Sequence, residues 1–300
     1  MPSWAETLTE VQLLQIQGRS DAFDVVRRGY LAKLKAHTGR NAIAYYSGFL
    51  GKPTLDGLDI ADEDKNGFMS AVHGMDRSLG LDLLIHTPGG SIAATQSIVD
   101  YLHRMFGRNI RAVVPQLAMS AGTMMACSCN EIIMGAQSNL GPIDPHLRGV
   151  PAYGVIAEFR RALREVSKDP SRAAVWQVVI GQYRPTFLSQ CDNAIRWSNE
   201  FVRDQLESVM FYGDPQAAST AKDIVKKLTD YRGNKTHDRH IDLDECAAIG
   251  LKIVRLELDN VLQDLVLSVH HCFMAVFGSS GAVKIIENDA GIAWVKVQQP

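Results

Sequence analysis

Two rhythms of apolar residues alternate along the chain. Helical spacing comes first. Ser3 and Glu6 form a capping-box pattern ahead of Leu8, Val11 and Leu14, and a second helix follows from Asp21 to about Ala36. In that helix Phe23, Val26 and Tyr30 share a face, and Gly39 is the stop. The rhythm then changes to short apolar runs bounded by Gly, Pro and Asn: Asn41–Ser47, Leu81–Ile85, Ile110–Pro115 and Glu131–Gly135. Runs of that length and composition predict strands buried on both faces. Between them lie a loop at Gly51–Leu58, a helix holding Phe68, Met69 and Val72, the amphipathic helix Ser91–Phe106, and the small-residue helix Ser120–Ser128. Strand, helix, strand, helix, strand with short connections predicts an α/β fold with a largely parallel sheet.

Beyond the rigid loop Asn139–Pro145 the pattern is helical for about eighty residues, over Tyr153–Lys168, Ala173–Gly181, Thr186–Phe211 and Pro215–Thr229. A basic loop follows at Arg232–Lys235. Asp242 and Glu245 open a short helix that ends at Gly250, Lys252–Leu258 reads as a strand, and Asn260–Phe277 as an amphipathic helix. The tail, VKIIE-NDAG-IAWVKV, has the turn residues and β-rich flanks of a hairpin. No repeat or linker divides the chain. The expected organisation is a helical arm over 1–40, a core over 41–258, and a C-terminal helix and β-hairpin over 259–300, all within one globular unit.

Composition narrows the function classes more than the fold. With 46% hydrophobic and 21% charged residues and a net charge of −2, nothing predicts a nucleic-acid surface or an anionic-membrane partner. The five cysteines are odd in number and lack metal-ligand rhythm, which predicts free thiols in a reducing compartment. The start of the chain has no basic segment followed by an apolar one, and no run reaches the ~18 apolar residues that would span a bilayer. A cytoplasmic protein is expected. Asp62, Asp64, Asn66 and Gly67 imitate the opening of a calcium-binding EF-hand loop, but His73 stands where the bidentate Glu belongs. That stretch is read as a polar turn. Cys127 and Cys129 lie in an apolar helix and are read as core.

Candidate chemistry sits at two strand-to-helix junctions, Thr87-Pro88-Gly89-Gly90 and Met119-Ser120-Ala121-Gly122. Alone, Ser120 would be an ordinary helix cap. Following consecutive parallel strands, however, both junctions fall at the C-terminal edge of the sheet, where open α/β sheets bind ligands. Glycines there leave N–H groups open to an oxyanion, and a serine beside them supplies a nucleophile. Ala118 breaks the G-x-S-x-G elbow, and the spacings of a dinucleotide fingerprint or a phosphate loop are absent.

The order strand, x-P-G-G, helix, strand, x-x-S-A-G, helix resembles the serine proteases of the Clp and signal-peptide-peptidase-A types, which share the crotonase-like ClpP fold. Across HTPGG, AMSAGTMMA and SNLGPIDP the chain is most similar to the serine dehydrogenase proteinase branch. The segment Thr236–Ile253 resembles that group's closing helix and strand. The resemblance implies a hydrolase acting on polypeptides, with Ser120 as nucleophile and an oxyanion hole built by Gly90, with Gly89 shaping its turn, and the N–H of Ala121. It also implies a homo-oligomer. It implies no cofactor, and it leaves open whether an unfoldase acts with the protein.

The general base stays open at this point. Asp144 stands where the Clp branch carries its histidine, His146 is two positions later, and the orienting carboxylate maps near Asn234, which cannot carry a charge. Lys168 is the nearest candidate for a lysine base, and a lysine needs desolvation to serve as one. His237 and His240 have the appropriate intrinsic chemistry; strand alternation would let one of them face Ser120, and His237, beside Asp238, is favoured. The spacings within His237–His240 and His270–His271 do not predict a metal site. Two alternatives share the fold: a crotonase-type enzyme that polarises an acyl-thioester, and a catalytically silent assembly or binding component.

Overall fold

The chain's first strand, β1 (Asn41–Ser47), becomes an interior strand of a seven-stranded sheet. The strands that follow it are β2 (Leu81–His86), β3 (Ile110–Val114), β4 (Leu117–Ala118), β5 (Glu131–Met134) and β6 (Asn139–Leu140). After them come a small hairpin, β7 (His146–Leu147) and β8 (Val150–Pro151), then β9 (Ile241–Asp242), β10 (Ile253–Arg255), β11 (Ala282–Asn288) and β12 (Ala293–Val297). The computed structural model describes residues 4–147, 149–230, 233 and 236–298. The order across the main sheet is β10-β5-β3-β2-β1-β11-β12. The first five run parallel, with Asn41 opposite Leu81 and Leu81 opposite Ile110, while β11 and β12 run antiparallel at the far side.

Helices cover both faces, which is why the strands read as continuous apolar runs rather than alternating ones. Ile43, Tyr45, Leu83 and Ile85 point to one face, where α3 (Asp64–Val72), α4 (Ile92–Phe106) and α5 (Ala121–Cys127) pack. Ala42, Ala44, Tyr46 and Leu84 point to the other. There α2 (Ala22–Thr38) contributes Leu31 and Leu34, and the C-terminal helix Asn260–Ser279 contributes Val266, Val269 and Phe273. That C-terminal helix has the length and apolar composition of a membrane span, but most of it is buried here between α2 and the sheet. The first helix, α1 (Trp4–Ile16), packs on α2 through Val11.

Between β8 and β9 the chain leaves the sheet as α6 (Ala152–Lys168), α7 (Ala173–Ile180), α8 (Phe187–Gln205) and α9 (Ala217–Leu228). Ala152, Val155, Phe187 and Cys191 form a small core of their own near its base. Farther on, α8 passes through one π-helical turn at Leu206–Met210, and that turn joins the main core. The chain returns through α10 (Leu243–Ile249) and β10 to the C-terminal helix, α11.

Two elements differ from their predicted form. The strand expected over Lys252–Leu258 is three residues long, and Leu256–Leu258 turns into a 3-10 helix. The C-terminal hairpin forms as predicted, with β11 beside β1 inside the sheet. The stretch before β9 carrying His237 and His240 is irregular, so strand alternation does not decide which of them faces the site. Of the basic loop, Arg232, Asn234 and Lys235 lie outside the described residues, as does Ser3.

Candidate active site

The two junctions meet because β4 continues the line of β3 and pairs with the end of β2. The Thr87 N–H donates to the Leu117 carbonyl at 3.0 Å, and the Met119 N–H donates to the Thr87 carbonyl at 3.0 Å. Gly122 makes that approach possible, since a Cβ there would meet the Thr87 methyl at 2.5 Å. Directly after β4, Ser120 adopts φ 51 and ψ −113, a region that L-residues avoid, at a cost of about 1–3 kcal/mol. Its hydroxyl does not cap α5, and among the described residues it has no hydrogen-bond partner.

Gly89, at φ 107, faces that serine, and Gly90 follows it at φ 150. A Cβ on Gly89 would sit 2.8 Å from the Ser120 Cβ and 3.2 Å from the Ala121 nitrogen; one on Gly90 would sit 2.3 Å from the Ile60 nitrogen. Ile60 clamps the turn, its N–H donating to the Gly89 carbonyl at 2.7 Å and its own carbonyl accepting from Ser91 at 2.9 Å. Among the described residues the N–H groups of Gly90 and Ala121 donate to nothing. One follows β2, the strand beside the Ser120 junction, and the other belongs to the residue after Ser120, an arrangement able to stabilise an oxyanion.

A second, three-stranded sheet, β4-β6-β9, brings in the remaining groups. Because β6 runs beside β4, Gly141 lies against the serine: a Cβ there would be 3.2 Å from the Ser120 nitrogen. β9 runs antiparallel to β6 with Leu140 opposite Ile241, and the same register carried outward places Asp144 opposite His237. The two are hydrogen-bonded, His237 Nδ1 to Asp144 Oδ1 at 2.8 Å. On the other oxygen, His146 Nε2 lies 3.5 Å from Asp144 Oδ2, and the two imidazoles are 4.0 Å apart. Asp144 is 3% exposed. Burial would raise its carboxyl pKa, but the contacts from His146 and His237 outweigh burial and hold it below the usual carboxylate value. The loop is pinned from three sides. Thr123 Oγ1 accepts from the Gly141 N–H at 2.9 Å, Ser198 Oγ donates to the Ile143 carbonyl at 2.9 Å, and the Ile143 N–H donates to the Leu228 carbonyl at 3.2 Å.

A family model described as ClpP-like SDH-type serine proteinase matches residues 22–266, most of the chain and all of this site. The chain belongs to that family. Two proteins of Methanocaldococcus jannaschii, both uncharacterised, are similar to it: MJ0137, 30% identical over 206 residues, and MJ1495, 29% identical over 205. The alignments cover 69% and 68% of this chain and 64% and 62% of those proteins, so the chain spans less than two thirds of the length of these relatives.

Against the family's serine-proteinase pattern, the structure sorts the candidates for the base. His237 is partly buried and paired, but with Asp144 rather than with its exposed neighbour Asp238. His240 is exposed before β9. Lys168 is exposed at the C-terminal end of α6, without the burial a lysine base requires, and so is not brought into the site. The position near Asn234, where the resemblance placed an orienting carboxylate, lies outside the described residues, and the carboxylate hydrogen-bonded to His237 is that of Asp144. Cys127 and Cys129 are buried thiols pushed up to about 12 by burial, as inert core residues are.

Thr123, Ser198 and Ile60 position the site and were not singled out in the sequence. Thr123 alone had a local signal, as the one hydrogen-bonding side chain inside the apolar run of α5. A groove of about 710 Å³ lies between α6 and α9 among Tyr153, Arg160, Arg164 and Lys226, and does not include Ser120.

Proposed function

We propose that the protein is a peptide-bond hydrolase that works through an acyl-enzyme on Ser120, with His237 as general base and Asp144 holding the imidazole. The observation that carries this reading is the His237–Asp144 hydrogen bond at the edge where the strained serine and two unengaged N–H groups converge. When Nδ1 donates to a carboxylate, the neutral ring is left with Nε2 as its acceptor. Ser120 Oγ attacks the scissile carbonyl carbon and its proton passes to His237 Nε2. The carbonyl oxygen becomes an anion held by the N–H groups of Gly90 and Ala121. Collapse breaks the C–N bond, and His237 returns the proton to the leaving amine. Water then takes the place of Ser120 by the same route, releasing the acid. The Ser120–His237 hydrogen bond is made in the substrate complex, where such contacts commonly tighten.

A fluorophosphonate probe tests the assignment. Wild type is expected to label on Ser120, and Ser120→Ala to lose all labelling. His237→Gln and Asp144→Asn are expected to slow labelling by at least about 10³-fold, since each removes the correctly oriented acceptor. Equal labelling of Ser120→Ala, or no labelling of wild type at any pH between about 5 and 9, would leave the fold without this chemistry.

A further inference from the structure

We propose that Asp144, His146 and His237 bind a divalent transition-metal cation, and that the bound ion switches the hydrolase off; the second half rests on His237 being the base. One ligand atom from each residue lies within 4.8 Å of the others. Four ligands at ~2.0–2.1 Å around a tetrahedral ion are roughly 3.3 Å from one another. The observed separations, 2.8 Å from His237 Nδ1 to one oxygen of Asp144 and 3.5 Å from His146 Nε2 to the other, lie near that edge. With one ligand atom from each residue within 4.8 Å of the others, closing on a common ion draws any two donors together by at most about 1.5 Å. The His146 and His237 side chains are 30% and 20% exposed, which gives an entry path and room for water as a fourth ligand, whereas Asp144 is fixed by burial. Among the described residues Asp144 forms no ion pair with a lysine or arginine, and its side-chain partners are the two imidazoles.

Two imidazoles and one carboxylate suit Zn²⁺ and its first-row neighbours, not Mg²⁺ or Ca²⁺, which favour all-oxygen sites. The mechanism above gives His146 no part, yet His146 completes this ligand set. Coordination would also have a definite effect on the base. With the metal on His237 Nδ1, the single proton of the neutral ring resides on Nε2, the atom that must accept the proton of Ser120. The same ion replaces Asp144 as the ring's partner. A base so occupied cannot activate the serine.

Binding is tested apart from acylation by titrating untagged Ser120→Ala protein with Zn²⁺ in a calorimeter. One ion per chain at micromolar or tighter affinity is expected, with no binding of Mg²⁺. His146→Ala and His146→Gln in the same background are each expected to weaken Zn²⁺ binding at least tenfold, and thermal melts of both separate loss of a ligand from loss of fold. In the otherwise native enzyme, saturating Zn²⁺ is expected to slow fluorophosphonate labelling at least tenfold, with recovery on adding EDTA. In His146→Ala the ratio of rates with and without Zn²⁺ is expected to approach one, whatever the basal rate. No Zn²⁺ binding to Ser120→Ala, binding undiminished in both His146 variants, or labelling indifferent to saturating Zn²⁺ would each overturn the proposal. Failure of the metal-free enzyme to label would instead count against the hydrolase reading and leave the metal titration to stand on its own.

Discussion

Ser120 occupies a backbone conformation that glycine tolerates and serine does not, and this gives its side chain an effect on stability separable from its chemistry. Replacing it by glycine relieves about 1–3 kcal/mol of strain and costs roughly 0.5–1 kcal/mol in unfolded-chain entropy, whereas alanine keeps the strain. Ser120→Gly is therefore expected to unfold at higher urea than Ser120→Ala, by roughly 1 kcal/mol, while neither variant labels. Equal midpoints would mean that the turn relaxes without cost. Residues of this kind were the most legible part of the sequence, because the junction chemistry is local: Gly89, Gly90, Ser120 and Ala121 all stand within four positions of a strand end. His237 and Asp144 were legible as residues but not as a pair. Their hydrogen bond depends on a register set by two-residue strands, and two residues carry no hydrophobic period to read.

The same contrast holds among elements. β1, β2 and β3 were readable because helices cover both of their faces and most of their positions are apolar. β4, β6 and β9 were not, since their pairing joins segments far apart in the chain. Helix α11 illustrates a further consequence of two-sided burial. It presses His270 against Tyr46 and against His86, which is fully buried with both ring nitrogens unpartnered among the described residues. Burial lowers both imidazole pKa values, that of His270 down to about 3, so each ring stays neutral in the folded state well below the pH at which it charges in the unfolded chain. The unfolded chain then binds more protons than the folded one, and stability falls as pH drops. Loss begins near the unfolded histidine value of about 6.5 and deepens by roughly 1.4 kcal/mol per pH unit for each such ring. Urea midpoints at pH 7.5 and 5.5 are expected to differ accordingly, and His270→Phe to shrink the difference. A midpoint insensitive to pH over that interval would show that the cluster opens to water.

At the scale of the molecule, buried charge joins the C-terminal strand β11 to the N-terminal quarter of the chain. Lys284 on β11 is fully buried and reaches both oxygens of Asp64 on α3, at 2.8 and 2.9 Å, while Tyr45 donates to the same carboxylate at 2.7 Å. Arg27 on α2 similarly holds Glu287, also buried. Such pairs add little net stability over an apolar replacement, but removing one partner strands the other. Lys284→Met is expected to cost about 3–5 kcal/mol in urea unfolding, and Lys284→Met with Asp64→Leu to recover a large part of it. A double variant no better than the single one would place the cost in the lost contact with the Asp59 carbonyl or the Tyr45 hydroxyl instead.

The helical excursion of α6 to α9 enters after β8 and leaves before β9, so Ser120 and His237 are separated by more than a hundred positions of chain. On a ribosome this distance becomes time. At about 5–20 residues per second, the serine and both oxyanion donors are synthesised roughly ten seconds before the histidine that pairs with Asp144. For that interval, and until the emerging segment clears the exit tunnel and forms β9, the nascent polypeptide carries Ser120 without His237. Under the hydrolase mechanism proposed above, the order of the genetic message would thus keep an unfinished chain from acting on itself or its neighbours.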